Sequence, residues 1–598
     1  MIRFSAFATL LLAVSAAMAA PLESVDVGAV TVGGEMGRRI EVTVENNLLE
    51  LDLDGDFLAP FQARTKTSGY IGLGKTIDAF VRMAAHTDDP RLLERKEHLV
   101  SETIALQEED GYIGMFAPEA RMWKLWDVHE MAYIIYGLAM DHRFFGNDAA
   151  LKAAEKAADY IMTAWRGEPD RIPGGGEITK YMAITGIQNG LIALTRETGE
   201  TTYRDFAGDF CGLRTWNGPI VLGRWGNIQG HVYAYLCRSL AQLRLHRDQP
   251  NAALVRPTQR AMDFMLKEDG LAITGACGQH ECWHDSQAGI ANLGETCATA
   301  YLIRWLDEQM RMQADPRLGD VMERATHNAL FAAQSPDGRR LRYYVPTEGP
   351  RVYWDGDTYC CPCNYRRIVA ELPGMIAYRG GGGLYVNLYT ASTVETNVGE
   401  TPVTLVQETD YPQDEAVRIT VQPAEPAAFP LHLRIPAWCT DAAVTINGAG
   451  QPEETEAGAW TRIDRTWKRG DVVTLELPVT PRLVAGRKAN VGRAAVMAGP
   501  LVFCLSRAQN PALEDSGLRA VTIDPDTLAG PEPDDTVHPG GWKCTVKAWR
   551  TTAWYPHGPH DWTLTLTESA DPASEETFFH VPNPNDPALD PDPLVITE

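Results

Sequence analysis

The spacing of hydrophobic and polar residues divides the chain into a helical half and a β-rich half. Between residues 60 and 380, apolar side chains recur at i, i+3, i+4 and i+7, which is the pattern of amphipathic helices. Turns rich in Asp, Asn, Gly and Pro interrupt this pattern, and a second helical segment follows each turn. Recurrent helical hairpins form either an open solenoid or a closed α/α toroid. The long Gly- and Trp-rich loops between the hairpins favour the toroid.

After residue 382 the pattern changes to the alternation of apolar and polar residues that is typical of half-buried strands, for example in LHLRIPAW and VVTLELPV. The change predicts a helical domain over 56–382 and an antiparallel β-sandwich over 383–500. A further β-rich domain with a Pro/Asp-rich tail is expected over 501–598. The segment IEVTVENNLLELD near 40–52 also alternates, which predicts an N-terminal β segment over 21–55. The fold class is therefore multidomain α+β.

The N-terminus has the features of an export signal. Arg3 precedes an apolar run from Phe4 to Val14, and Ala17-Met18-Ala19 provides a small-x-small cleavage pattern. The run is too short to span a bilayer, and no later stretch reaches about 18 consecutive apolar residues. We expect residues 1–20 to be removed and the mature protein to be exported, to the periplasm or beyond, without a membrane span. An uncleaved N-terminal anchor is the alternative.

The charge of the protein limits its partners. Lys and Arg number 54 against 79 Asp and Glu, which gives a formal net charge of −25. Nucleic acids and anionic membranes bind clustered cations, so neither is an expected partner, whereas a neutral glycan is compatible.

Three clusters of potentially reactive residues fall between residues 278 and 364, and six of the eleven cysteines lie within 277–363. The clusters are Gly278–Trp283 (GQHECW), Gly294–Ala298 (GETCA) and Tyr359–Asn364 (YCCPCN). A Glu-x-Cys pair and two adjacent cysteines can offer one carboxylate and three thiolates to a zinc ion, which prefers soft ligands in tetrahedral geometry. A disulfide or a purely structural zinc clip would explain the same residues, although a bond between the adjacent Cys360 and Cys361 would strain the backbone.

These clusters resemble the motifs of glycoside hydrolase family 127, the β-L-arabinofuranosidase-like enzymes. The family has a Gly-rich loop ending in Glu, an E-T-C-A motif and a C-C-P-x-N motif, and this chain has GACGQHE, ETCA and CCPCN in that order. The similarity continues through GLYVNLY, LRIPAW, RTWKRGD and AGPLVF, so it covers nearly the whole mature chain. It implies an (α/α)6 catalytic barrel followed by β-sandwich domains.

The resemblance also implies the chemistry. The chain is similar to enzymes that act as retaining exo-glycosidases on β-L-arabinofuranosides or related furanosides of plant or algal polysaccharide. Carried over to this chain, the nucleophile would be Cys360 and the acid/base Glu281. The Zn²⁺ ligands implied are Glu295, Cys297, Cys360 and Cys361. Zinc would keep the nucleophilic thiol ionised near neutral pH.

Four residues are candidates for binding the sugar. His129 and His231 resemble family histidines that line the pocket, although a histidine at a helix start is often a cap or a core residue. Trp354 and Tyr359 lie beside the cysteine motif and can stack on a sugar face, although aromatics in helical proteins often belong to the core.

The chain departs from the family at two positions. ITGIQNG lacks a histidine that the family usually has before this helix, and Cys363 replaces a proline, so it is a potential competing ligand.

Two other functions remain open. A polysaccharide lyase or unsaturated-uronyl hydrolase would explain the toroid but not the cysteines. A noncatalytic glycan-binding protein with a structural zinc site would explain the cysteines but not Glu281. If Glu281 is not the acid, Glu177 is the next candidate.

Overall fold

The computed structural model describes residues 21–169, 184–223, 230–450, 455–514, 516–551, 556 and 558–596. Its helices are α1 (Gly34–Asn46), α2 (Ala59–Ala63), α3 (Leu73–Thr87), α4 (Pro90–Ala105), α5 (Asp127–Phe145), α6 (Asp148–Gly167), α7 (Ile187–Thr198), α8 (Thr201–Asp205), α9 (Val232–Asp248), α10 (Ala252–Lys267), α11 (Thr296–Gln313), α12 (Pro316–Ala325) and α13 (Cys360–Glu371).

Six of these helices form a closed inner ring. Helices α3, α5, α7, α9, α11 and α13 each pack against the next, and α13 packs back against α3. The inner helices α5 and α11 are buried nearly all round, as expected for elements in the centre of a domain. The outer helices α4, α6 and α10 bury only one stripe. Since an outer helix returns the chain after each inner one, the amino-terminal ends of the inner helices meet at one end of the ring. The expected closed α/α toroid is confirmed.

Two sheets form the sandwich that follows. One has the strand order β1-β3-β4-β8-β11 and the other β10-β9-β12-β7-β6-β5-β2. Their strands are β1 (Glu23–Ser24), β2 (Val30–Val32), β3 (Ala377–Gly380), β4 (Gly383–Val386), β5 (Ser392–Val398), β6 (Thr401–Glu408), β7 (Ala416–Pro423), β8 (Ala427–Arg434), β9 (Ala443–Ile446), β10 (Ala449–Gly450), β11 (Trp460–Trp467) and β12 (Asp471–Glu476).

A third sheet forms the C-terminal domain. Its strands are β13 (Pro481–Ala485), β14 (Arg493–Ala498), β15 (Leu501–Leu505), β16 (Val521–Ile523), β17 (Ala529–Pro533), β18 (Trp542–Arg550), β19 (Trp562–Glu568), β20 (Phe578–His580) and β21 (Leu589–Asp590). The main path runs β15-β19-β18-β16-β20-β14, and pairing of β14 with β15 closes this path on itself.

Two expectations about the domains need correction. The strand expected near residues 40–52 is wrong, because α1 covers most of this segment. Its apolar residues also fit a helical spacing, and Met36, Ile40 and Val44 are buried on one face. The N-terminal β segment is limited to β1 and β2, which pair with β3 and β5 of the sandwich. The sandwich ends at β12 rather than at residue 500, because β13 and β14 pair with each other and β14 joins the third sheet.

No helix among the described residues has the length and apolar character needed to cross a membrane. Residues 1–20 and Glu177 lie outside the described residues, so the export signal and the alternative acid stay predictions.

Candidate metal centre and active site

Four predicted ligands lie together at the amino-terminal end of the ring. Glu295 is the residue before α11 and Cys297 lies in its first turn, while Cys360 and Cys361 begin α13. One ligand atom from each lies within 4.8 Å of the others. The Cys361 Sγ is 3.3 Å from the Cys297 Sγ and 3.8 Å from the Cys360 Sγ. All eleven cysteines lie in the described ranges, and no disulfide joins any of them in this structure.

The arrangement fits a metal ion. Three sulfur atoms and one carboxylate are buried together, and the buried Glu295 Oε2 has no hydrogen-bond partner among the described residues. A buried carboxylate oxygen without a donor is costly unless a cation compensates it. The Asn364 Nδ2 donates to the Cys297 Sγ at 3.1 Å, and so orients one sulfur from outside the group.

Cys363 does not belong to this group. Its Sγ lies 3.5 Å from the Thr76 Oγ1 and 3.9 Å from the Ile71 carbonyl oxygen, on the side of α13 that packs against α3. Gly72 permits this packing, because its φ is +98° and a Cβ there would lie 2.7 Å from the Cys363 sulfur. The metal group therefore contains the four implied ligands and not the additional cysteine.

The thiols differ in acidity. Burial raises the pKa of both Cys297 and Cys361 well above the usual value. Burial also acts to raise the pKa of Cys360, but hydrogen bonds from Cys297 and Cys361 and the charge of Lys75 outweigh it and lower this pKa well below the usual value. Burial and the charges of Glu281 and Cys360 raise the pKa of Glu295. Cys360 is therefore the most acidic of the three thiols.

Glu281 faces Cys360 across a single hydroxyl group. The Tyr343 hydroxyl donates to the Glu281 Oε1 and lies 3.4 Å from the Cys360 Sγ. The Tyr344 hydroxyl is 3.3 Å from the same carboxylate oxygen, and the His231 Nε2 is 3.4 Å from the other. Glu281 has a φ of +65°, a conformation that is unfavourable for a residue with a side chain and is often found at functional sites.

Sequence reasoning did not identify Tyr343 or Tyr344. Two adjacent tyrosines do not form a sequence motif that would mark a functional site. Their position follows from tertiary contacts, because the Thr296 N–H donates to the Tyr343 carbonyl at 2.9 Å and Glu295 forms a β-bridge with Tyr344.

The two predicted histidines differ in their surroundings. His231 precedes α9, where its Nδ1 accepts the Ala234 N–H at 3.3 Å, so it serves as a helix cap and also contacts Glu281. His129 is buried in the first turn of α5, with the Lys75 Nζ 3.4 Å from its Nε2. Burial and the charge of Lys75 lower the pKa of His129 well below its usual value, so this imidazole is neutral.

The predicted aromatic residues form a continuous stack. Trp354 stacks on Tyr359 with ring centroids 5.5 Å apart, and Tyr359 stacks on Tyr70 at 4.9 Å. Tyr70 is buried, whereas Trp354 retains 36% of its exposure and so lies at the outer end of the stack. Tyr359 has a φ of +95° directly before Cys360. The stack therefore leads from the thiol group towards solvent.

The fold is shared with solved glycoside hydrolases. A structure of a GH127 β-arabinofuranosidase superimposes with a TM-score of 0.79 at 20% identity, covering 94% of this chain and 98% of that chain. A GH127 β-L-arabinofuranosidase from Geobacillus stearothermophilus T6 gives a TM-score of 0.74 at 21% identity, covering 92% and 100%. Fold and site thus define a protein with a closed helical toroid, appended β domains and a buried thiol–carboxylate group at one end of the toroid.

Sequence comparison identifies the family. The GH127 β-L-arabinofuranosidase catalytic-domain model matches residues 63–374, and the GH127 middle-domain model matches residues 383–479. A curated relative, the non-reducing end β-L-arabinofuranosidase of Bifidobacterium longum subsp. longum, is 25% identical over 501 residues, which is 71% of this chain and 74% of the relative. The chain belongs to glycoside hydrolase family 127.

Proposed function

We propose that this protein is an exported, zinc-dependent, retaining exo-β-L-arabinofuranosidase that acts on plant or algal polysaccharide. The name of the curated relative supports the sugar and the action at a non-reducing end. The observation that carries the mechanism is the Tyr343 hydroxyl, which contacts both Glu281 and Cys360.

Zinc is the metal that suits the four ligands. Three thiols and one carboxylate, Glu295, form a soft donor set, which favours zinc over calcium or magnesium. When bound, zinc would hold the cysteine ligands as thiolates near neutral pH.

The separation of Glu281 and Cys360 supports a retaining reaction. Both groups contact one tyrosine oxygen, and with hydrogen bonds of ordinary length, about 2.8 Å, this limits their separation to about 6 Å. Carboxyl pairs of retaining glycosidases lie about 5–5.5 Å apart, and those of inverting enzymes about 6.5–9.5 Å apart.

The tyrosine also explains how the two groups reach opposite protonation states. A tyrosine hydroxyl has one proton to donate and can accept another. When Glu281 is protonated, it donates to the Tyr343 oxygen, and Tyr343 then donates to the Cys360 thiolate. This is the starting state that a retaining glycosidase needs, with a protonated acid and an ionised nucleophile.

A residue of this chain can then be assigned to each step of the reaction. The Cys360 sulfur attacks the anomeric carbon while Glu281 protonates the departing oxygen, which leaves the sugar bound to sulfur through a thioglycosyl bond. Glu281, now a carboxylate, removes a proton from the incoming water that cleaves this bond. The neutral His129 can donate to or accept from a sugar hydroxyl, and the Trp354 face is suited to stacking at the entrance.

The two other functions have less support. Family membership argues against a lyase or uronyl hydrolase. A noncatalytic glycan-binding protein with a structural zinc site would have no need for the Glu281 carboxyl group, which shares the Tyr343 hydroxyl with the Cys360 thiol.

A panel of nitrophenyl glycosides led by the β-L-arabinofuranoside, combined with elemental analysis, tests the proposal. We expect about one zinc per chain and fastest release from the β-L-arabinofuranoside. Protein purified under reducing conditions without chelator that contained no zinc, or that preferred a pyranoside, would contradict it.

A further inference from the structure

A partly open cavity lies at the other end of the helical ring, away from the thiol group. The carboxyl-terminal turns of the inner helices surround a chamber of about 630 Å³, which residues 23–27 and 395–397 of the sandwich border on the far side. Eight arginines and seven acidic residues line it. This arginine chamber is unusual in a protein whose formal net charge is −25.

Ion pairs and helix dipoles account for most of these arginines. Glu308 pairs with Arg247 at 2.7 Å and with Arg244 at 3.5 Å. Arg82 pairs with Asp78 at 2.8 Å. The carboxyl-terminal ends of helices carry partial negative charge, which also favours cations at this end of the ring.

Arg304 forms an ion pair with Glu371 at 2.6 Å, but two of its nitrogen atoms take no part in it, and Arg143 forms no ion pair among the described residues. Arg304 retains only 3% of its exposure, and its Nε donates to Glu371, but its Nη1 and Nη2 are buried without a hydrogen-bond partner in the described part of the chain. Arg143 lines the same chamber and forms no ion pair or hydrogen bond with any described residue. Arg143 is exposed and water can solvate it, whereas leaving the buried Nη1 and Nη2 of Arg304 without an acceptor is costly, so an acceptor is expected at Arg304.

The electrostatic potential of the chamber favours an anion as that acceptor. Burial acts to raise the pKa of the Tyr136 phenol, yet the charges of Arg244 and Arg82 outweigh it and lower this pKa below the usual value. Burial and the charge of Arg82 lower the pKa of Arg143. The seven acidic residues therefore do not cancel the positive potential at this point.

We propose that the arginine chamber is a binding site for a small multivalent oxyanion, a phosphate compound or a dicarboxylate, held by Arg143 and Arg304. These residues belong to α5 and α11, which occupy opposite positions in the six-helix ring, so an anion with two charged groups suits the site best. Planar guanidinium groups bind carboxylates and phosphates through two parallel hydrogen bonds. The site is separate from the thiol group and does not depend on the proposed glycosidase activity.

Calorimetric titration and thermal unfolding of the full chain test this inference, with inorganic phosphate and succinate as probes and sodium chloride at matched ionic strength as reference. We expect at least one probe to bind with measurable heat and to raise Tm by about 2–4 °C beyond the chloride reference. A response to phosphate alone identifies a phosphate compound, and a response to succinate alone identifies a dicarboxylate.

Two variants separate specific binding from general salt effects. Arg143→Gln removes one guanidinium without breaking an ion pair, and should weaken binding at least tenfold. Arg317→Gln, which changes an exposed arginine at the start of α12, should bind as the parent does. Phosphate stabilises proteins nonspecifically by exclusion from their surface, and that effect would be equal in all three proteins. Equal responses in the parent and Arg143→Gln, or no response beyond chloride, would overturn the proposal and leave water as the acceptor.

Discussion

Replacing Tyr343 with phenylalanine tests whether one hydroxyl couples the two reacting groups. The ring would keep its packing against Trp354 and Tyr344, whose centroids lie 5.4 and 4.7 Å away, so the change is confined to one oxygen atom. A hydrogen bond to a charged group contributes about 1.5–3 kcal/mol, which corresponds to a loss of about 10–100-fold in kcat/KM. Because Tyr343 positions the proton of Glu281, the rate should fall most for substrates with poor leaving groups.

The assay compares an alkyl and a nitrophenyl β-L-arabinofuranoside with zinc content measured in parallel. Tyr344→Phe is the matched control, because the Tyr344 hydroxyl is 3.3 Å from Glu281 but, unlike that of Tyr343, forms no hydrogen bond with Cys360, so the loss of activity should be smaller. If Tyr343→Phe retained zinc and hydrolysed both substrates within twofold of the parent rate, the coupling through Tyr343 would be wrong.

Three further predictions concern acid catalysis, the nucleophile and acid stability. Glu281→Gln keeps the shape of the side chain but removes its proton, so turnover of natural substrates should fall about 10²–10⁴-fold. Substrates with activated leaving groups should be less affected. Rates equal to those of the parent would point to another acid, such as Glu177. Cys360→Ser should abolish turnover even in folded, zinc-containing protein, and mass spectrometry after treatment with a cyclophellitol-type inhibitor should locate the adduct on Cys360 rather than on a carboxylate. Burial acts to raise the pKa of Glu35, but Arg39, and after it Arg38 and His538, hold it at about 2 rather than 4.5. The stabilisation is therefore present above pH 4.5 and is lost as the pH falls towards 2. Glu35→Gln should lower the free energy of unfolding at pH 7, measured by urea titration, by about 3 kcal/mol. An unchanged urea midpoint would contradict this.

Periodicity was sufficient to predict the helical ring but not every boundary. The inner helices are long and amphipathic or apolar, so their pattern is unambiguous. Residues 40–46 (IEVTVEN) satisfy both strand alternation and helical spacing, and burial against the ring selects the helix. The end of the sandwich depends on the pairing of β14 with β20, about 80 residues further along the chain, and local sequence contains no information about it.

The metal ligands could be predicted from the sequence, whereas other residues of the site could not. Thiol and carboxylate residues are rare enough in such spacing to indicate a metal, and the family resemblance supplied the pairing. Tyrosine is common, so the position of Tyr343 between Glu281 and Cys360 could be found only from the folded chain. The same holds for Lys75, whose charge lowers the pKa of Cys360 from a position that is distant in sequence.

The direction of the inner helices connects the two ends of the ring. Because their amino-terminal ends meet at the thiol group, the helix dipoles stabilise the thiolates and the carboxylate that a zinc site requires. The same dipoles create negative potential at the opposite end, where the arginines collect. Anionic ligands at one end and cationic side chains at the other thus follow from one geometric fact. What the dipoles do not explain is specific to this chain, namely the shared Tyr343 hydroxyl at the first end and, at the second, the buried Nη1 and Nη2 of Arg304, which have no hydrogen-bond partner among the described residues.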